Sequence, residues 1–275
     1  MTAIASIRAP LVRTSHGRID IDSLSINFGN HQAIADFSLH VEPGEFVCLL
    51  GPSGCGKSTV LNGIAGFVTP NSGSILVDDE TVTKPGPDRG MVFQQHSLLP
   101  WKTVLENVAL GPRMRGVSKA EARLVAREYL DLVGLGAWAS HYPAALSGGM
   151  AQRVGIARAL VNHPKILLMD EPFGALDAQT RIIMQENLLK LWGLTGNTVL
   201  FVTHDIDEAL FLADRVIVIS AAPGQVLLDL KNDLPRPRPQ DIFAHPSFAD
   251  YKRECLRLIR QESGKAFDFV NGTGI

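Results

Sequence analysis

Long apolar runs are missing from this chain of 275 residues: none approaches the roughly 18 consecutive apolar residues that a membrane-crossing helix requires. Any membrane association is therefore expected to come through a partner. Charge of one sign is equally scarce. The formal net charge is −2, so no basic surface recommends a nucleic acid. Cysteine is rare as well; Cys48, Cys55 and Cys255 are odd in number and lack metal-site spacing, which fits a reduced cytoplasmic protein better than a disulfide-stapled one. The N-terminal stretch, residues 1–18, alternates basic and small residues without an apolar core of signal-peptide length and reads as a tail. Internal repeats and sustained heptads are absent too. What the chain does have is 45 % hydrophobic content, enough to bury a substantial core in one large domain or two intimate subdomains.

The most informative segment runs Gly51, Pro52, Ser53, Gly54, Cys55, Gly56, Lys57, Ser58, Thr59, directly after the apolar, strand-like Phe46–Leu50. This is a complete phosphate-binding loop in its proper context. Its glycines let the backbone curl so that successive N–H groups face phosphate oxygens, and a helix beginning near Lys57 adds the positive end of its dipole. Lys57 is placed to reach the β- and γ-phosphates of a nucleoside triphosphate, and the Ser58 hydroxyl to hold Mg²⁺. Cys55, inside the loop, is expected to be partly accessible to a thiol reagent and shielded by nucleotide.

Apolar strand candidates alternate with helical stretches along the chain, which predicts an α/β fold, a core sheet flanked by helices. Residues 19–28 alternate as a half-buried strand should. Residues 46–50, 166–169, 199–202 and 216–219 are continuous apolar runs of strand length, as in the covered centre of a parallel sheet. Between Gln94 and Ser147 the character turns helical: Thr103 with Glu106, and Ser118 with Glu121, form capping-box patterns, and Gly134 is a stop. Near the end, Pro235, Pro237 and Pro239 alternate with Arg236 and Arg238 in an extended connector. Beyond it Phe248, Tyr251, Cys255, Leu258 and Ile259 recur at helical spacing.

A second constellation narrows the reading. Leu146, Ser147, Gly148 and Gly149 are followed about twenty residues on by the run Ile166–Met169 and then Asp170 and Glu171. Gln94 follows the strand-like Gly90–Phe93, Asp177 follows Ala175 and Leu176, and His204 lies between Thr203 and Asp205. In this order the chain resembles the ATP-binding cassette ATPases, a P-loop NTPase family, over roughly residues 19–230. The resemblance implies an α-helical subdomain, about residues 95–160, inserted in the core and ending at the signature loop. Residues 231–275 then form a short C-terminal helical extension.

Roles follow from the resemblance together with the chemistry of phosphoanhydride hydrolysis. Asp170 is suited to the Mg²⁺ shell as a hard oxygen ligand, and Glu171 to polarising the attacking water as general base. His204 resembles the histidine that contacts the γ-phosphate, Gln94 the glutamine at the metal and water, and Phe28 the aromatic that stacks on adenine. Ser147, Gly148 and Gly149, with the N-terminus of a helix beginning near Met150, would act on ATP held by a second copy of the chain, with Asp177 along that interface, so that ATP joins a homodimer.

Met150 departs from the glutamine most frequent at the fifth signature position; the phosphate contacts come from the preceding residues. Residues 92–101, 170–177 and 234–238 further resemble importers of nitrate, sulfonates and taurine. That branch implies two membrane-spanning permease subunits, a periplasmic or extracellular solute-binding protein that chooses the cargo, and a peripheral place on the cytoplasmic face of the membrane. Leu98, Leu99 and Trp101, around Pro100, are expected in an exposed loop that a permease segment covers, although they could also fill the core. A soluble cassette acting on ribosomes or DNA is the other class weighed; such chains carry two cassettes or a long coiled-coil insertion.

Overall fold

The computed structural model describes residues 17–95 and 97–270, the last six of these as backbone. The expected N-terminal tail therefore lies almost wholly outside the described residues, as does His96. The chain divides into two compact units, one of Pro87–Asn197 and one of the described residues in His16–Gly86 and Thr198–Ile275.

The second unit opens with β1 (Ile19–Phe28), β2 (His31–Val41), β3 (Phe46–Leu50), α1 (Lys57–Ala65), β4 (Ser72–Val77) and β5 (Glu80–Thr81). The chain then builds the other unit: β6 (Arg89–Val92), α2 (Val104–Val108), α3 (Leu110–Met114), α4 (Lys119–Leu132), α5 (Gly148–Leu160), β7 (Ile166–Asp170) and α6 (Ala178–Thr195). It returns with β8 (Thr198–Thr203), α7 (Ile206–Leu212), β9 (Arg215–Ile219), β10 (Val226–Lys231) and α8 (Pro246–Val270). The fold is mixed α/β with parallel strand pairs and flanking helices, as the alternation of patterns predicts.

In the second unit, β2, β1, β4 and β5 form an antiparallel sheet in which Ile19 faces Val41 on one side and Val77 on the other. The inward residues of β1, Ile19, Ile21, Leu24 and Ile26, are buried; the period-2 alternation holds on either side of a bulge between Ile21 and Leu24, where Ser23 has φ +45°. Separately, β3 runs parallel to both β8 and β9, and β10 closes antiparallel on β9. Every residue of β3 and β8 is buried. A strand covered on both faces has no polar side to alternate with, which is why these segments read as unbroken apolar runs. Phe46 and Phe201, on neighbouring strands, tilt at 38° with ring centres 6.0 Å apart. Truncating such a buried aromatic to alanine costs about 3–5 kcal/mol.

The first unit pairs β6 and β7 in parallel, Arg89 facing Ile166 and Val92 facing Met169. Its helices start where local chemistry directs. Thr103 Oγ1 accepts the Glu106 N–H at 3.2 Å while the Glu106 carboxylate accepts the Thr103 N–H, a complete capping box opening α2. At the start of α4, Ser118 accepts the Glu121 N–H, but the Glu121 carboxylate takes the Ser118 hydroxyl at 2.8 Å rather than the backbone N–H. That helix ends at Leu132, two residues before Gly134 at φ +71°. The compact unit is larger than the inserted segment expected near 95–160, since it also holds β6, β7 and α6.

Candidate active site

The phosphate-loop residues connect β3 to α1. Gly56 is the cap of α1 at φ +95°, a backbone conformation that a side chain strains, and Gly54 is at φ +78°. No side chain caps α1, and its N-terminus carries the positive end of the helix dipole. Lys57 is 5 % exposed and lies back across the loop, its Nζ donating to the carbonyls of Gly51 at 2.8 Å and Pro52 at 2.9 Å. Ser53, Gly54 and Ser58 are exposed; Pro52, Gly56 and Thr59 are half-buried.

Cys55 departs from expectation. It is 1 % exposed, its Sγ lies 3.7 Å from Lys57 Nζ, and burial pushes its thiol above the ordinary range. The loop backbone is open, but this side chain turns inward beneath Lys57, so a maleimide has no route to it and thiolate formation is disfavoured.

His204 and the phosphate loop belong to the same edge. The parallel register pairs Leu50 with Thr203, so the residues that follow, Gly51 and His204, leave the C-terminal ends of adjacent strands side by side. Ligands in parallel α/β sheets bind at this edge. His204 is exposed, and the next residue, Asp205, caps α7 by accepting the N–H groups of Asp207 at 2.9 Å and Glu208 at 3.2 Å. Phe28, the last residue of β1, is 51 % exposed. An exposed aromatic at a strand end offers a free ring face.

The other unit gathers the carboxylates. Val92 pairs with Met169, so Gln94 beyond β6 and Asp170 with Glu171 at the end of β7 share one edge. Gln94 Nε2 donates to Glu171 Oε2 at 3.4 Å. Glu171 has φ +41°, uncommon outside glycine, and its carbonyl accepts the Gly174 N–H at 3.2 Å. That bend carries the chain sharply out of the strand at the residue after Asp170.

In the same unit Ser147 caps α5, its Oγ accepting the Met150 N–H at 3.3 Å. The helix therefore begins at Gly148, earlier than the expected start near Met150. A Cβ on Gly149 would meet Thr180 Cγ2 at 2.7 Å, so only glycine lets the start of α5 approach α6 this closely. Asp177 caps α6, accepting from Thr180 N–H at 3.0 Å and Thr180 Oγ1 at 2.7 Å; these bonds hold its carboxyl below the ordinary range. Thr180 was not among the expected residues, although Asp followed three residues later by Thr is a legible capping signal. The candidate residues divide between the units: Phe28, Gly51 to Thr59 and His204 in one; Gln94, Asp170, Glu171, Ser147, Gly148, Gly149 and Asp177 in the other.

The ABC transporter family model matches residues 34–174, slightly more than half of the chain. The chain belongs to the ABC transporter family. This cassette is 49 % identical over 238 residues to a nitrate import ATP-binding protein of a Synechocystis species, covering 84 % of this chain and 90 % of the relative. It is 45 % identical over 245 residues to a bicarbonate transport ATP-binding protein of Synechococcus elongatus, covering 87 % of this chain and 37 % of that longer protein. Among solved structures, the dimeric structure of a post-hydrolysis state of an ATP-binding cassette bound to ADP and Pi matches with a TM-score of 0.68 and 37 % identity, covering 78 % of this chain and 98 % of the other. This cassette binds ATP and is an ATPase.

Proposed function

We propose that this cassette is the ATP-hydrolysing subunit of an importer for a small nitrate-like anion, acting as an ATP-joined homodimer beneath two membrane-spanning subunits. The reading rests foremost on Gln94 and Glu171, hydrogen-bonded at the ends of paired strands, in a chain so close to a nitrate import subunit. Glu171 is the general base for the attacking water, Gln94 orients it, and His204 contacts the γ-phosphate from the edge it shares with the phosphate loop. Lys57 exchanges its loop carbonyls for phosphate oxygens, and Phe28 stacks on adenine. Ser147, Gly148 and Gly149 grip the nucleotide of the second copy, with Asp177 holding α6 along that face. The hydroxyl, amide and carboxylate oxygens of Ser58, Gln94 and Asp170 suit a hard dication. Mg²⁺, when bound, would neutralise phosphate charge.

Among the described residues no helix is long and apolar enough to cross a membrane. Trp101 is 70 % exposed and Leu98 and Leu99 are half-buried, which supports a permease segment covering this loop and a peripheral place on the cytoplasmic face. Nitrate and bicarbonate are both small planar oxyanions, so the names of the relatives favour that class over taurine or another sulfonate. The test is the complex with its permease and solute-binding protein in vesicles loaded with Mg-ATP. Turnover should rise when nitrate is added outside. Stimulation by taurine or an alkanesulfonate alone would move the cargo to that branch, and no stimulation by any of these anions would remove the importer reading.

A further inference from the structure

Helix α7 has seven residues, too short to persist on its own. It starts directly after His204 and Asp205, and any helix leaves its last carbonyls without intrahelical partners. Here Ala213 N–H closes on Ala209 O, and the next four carbonyls are all taken by side chains of the connector after β10. Arg238 Nη1 donates to Leu210 at 3.0 Å, Phe211 at 3.1 Å and Ala213 at 2.7 Å. Asn232 Nδ2 donates to Leu210 and Ala213, each at 2.8 Å, and Arg236 Nη2 donates to Leu212 at 2.6 Å. Arg236 Nε also donates to Asp214 at 2.8 Å.

The fork of Arg238 is 5 % exposed, and burial lowers its pKa to about 10, so it keeps its charge at neutral pH at the negative end of the α7 dipole. The same segment also holds the face and the front of α7. Phe243 stacks on Phe211 with ring centres 5.7 Å apart and meets Phe248 edge-on at 5.0 Å. Lys252, on α8, pairs with Asp207 in the first turn of α7 at 2.7 Å.

We infer that the segment from Asn232 to Lys252 is a strap that positions His204 through α7, with Arg236, Arg238 and Lys252 as positioning residues for ATP hydrolysis. A short helix gripped at its C-terminal carbonyls and at its first turn holds the corner that precedes it, so loosening the grip misplaces the imidazole without touching nucleotide. The inference rests on the reading of His204 as the γ-phosphate contact. It gives the C-terminal extension a part in turnover.

The test uses the full chain with Lys252→Gln, Lys252→Arg, Arg236→Gln and Arg238→Lys. Turnover is expressed per nucleotide site, titrated with a fluorescent ATP analogue so that unfolded protein does not count. Lys252→Gln should lower kcat about two- to five-fold, the size a half-exposed ion pair allows. Arg236→Gln and Arg238→Lys should lower it about ten-fold, with KM for ATP within about two-fold of the parent, as expected when positioning for the transition state is lost. Lys252→Arg should restore turnover. Should the buried Arg238→Lys variant fold poorly, Lys252→Gln and Arg236→Gln still decide. Unchanged kcat per site in Lys252→Gln and Arg236→Gln, or no restoration by arginine at 252, would overturn the strap. His204→Ala separates the two readings. If it turns over like the parent, the assignment of His204 fails and the strap falls with it; if it is inactive while the strap variants are normal, only the strap fails.

Discussion

Two glycines of the phosphate loop should respond to the same substitution to different degrees. A Cβ on Gly56 would lie 2.5 Å from Ile34 Cδ1, on a fully buried side chain, and 2.8 Å from the Ala33 carbonyl oxygen, which is backbone and cannot turn aside. Its φ of +95° also strains any L-residue. The left-handed backbone costs alanine about 1–2 kcal/mol and overpacking against backbone about 1–3 kcal/mol, so Gly56→Ala should destabilise the chain by about 2–5 kcal/mol. In a chain of this size that lowers Tm by about 5–15 °C. Gly54, at φ +78°, has nothing within 4 Å of its Cβ position, so Gly54→Ala bears only the conformational cost of about 1–2 kcal/mol. Its new methyl would stand on the exposed rim where the phosphates approach. Scanning calorimetry without nucleotide, paired with titration of a fluorescent ATP analogue, separates the effects: Gly56→Ala loses stability and affinity, Gly54→Ala chiefly affinity. Equal melting temperatures for the two variants, or parental affinity in Gly54→Ala, would refute the loop geometry argued above.

The three cysteines are all buried, so the native protein should leave a thiol reagent unreacted at neutral pH with or without ATP and release three thiols only on denaturation; rapid labelling at Cys55 would contradict its inward orientation. Burial, seconded by Arg115, holds His163 below the ordinary imidazole value, with Tyr129 hydroxyl 3.2 Å from its Nδ1. The unfolded chain therefore takes up this proton first, and the contribution of His163 is present above about pH 6.5 and lost as pH falls toward the depressed native value. Urea midpoints from pH 7.5 to 5.5 should fall less steeply in His163→Asn, a replacement that tolerates the φ of +51°; parallel profiles would remove His163 from the acid response. Trp101→Ser should leave the melting temperature and ATP affinity of the isolated subunit unchanged while weakening assembly with the permease in pull-down, whereas a large drop in Tm would make Trp101 a packing residue.

The sequence made the centre of the fold legible because strands covered on both faces have only one composition available to them. Phe46–Leu50, Ile166–Met169, Val199–Val202 and Val216–Ile219 lie in β3, β7, β8 and β9. The Thr103 and Glu106 box was equally legible, since its donors and acceptors lie within four residues. Long-range chemistry was not. Arg236 and Arg238, between prolines, suggest an extended connector, but their acceptors at the end of α7 lie more than twenty residues back in the chain, beyond any local pattern. Glycine at 148 and 149 masked the start of α5, because poor helix formers read as loop until the Ser147 cap is seen to direct the first turn. Cys55 misled for a related reason: an open, glycine-rich backbone says nothing of where one side chain among the glycines turns.

The central claim is that Glu171, held by Gln94, activates the water that cleaves ATP between two copies of this chain. Glu171→Gln preserves shape and hydrogen bonding but removes the basicity of the carboxylate, so turnover should fall about 100-fold or more while Mg-ATP still binds. Size-exclusion chromatography with light scattering, run with Mg-ATP, reads the outcome directly. This variant should accumulate as an ATP-bound dimer while the parent returns to monomer as it hydrolyses. Parental hydrolysis by the variant, or a variant that binds ATP and stays monomeric, would contradict it.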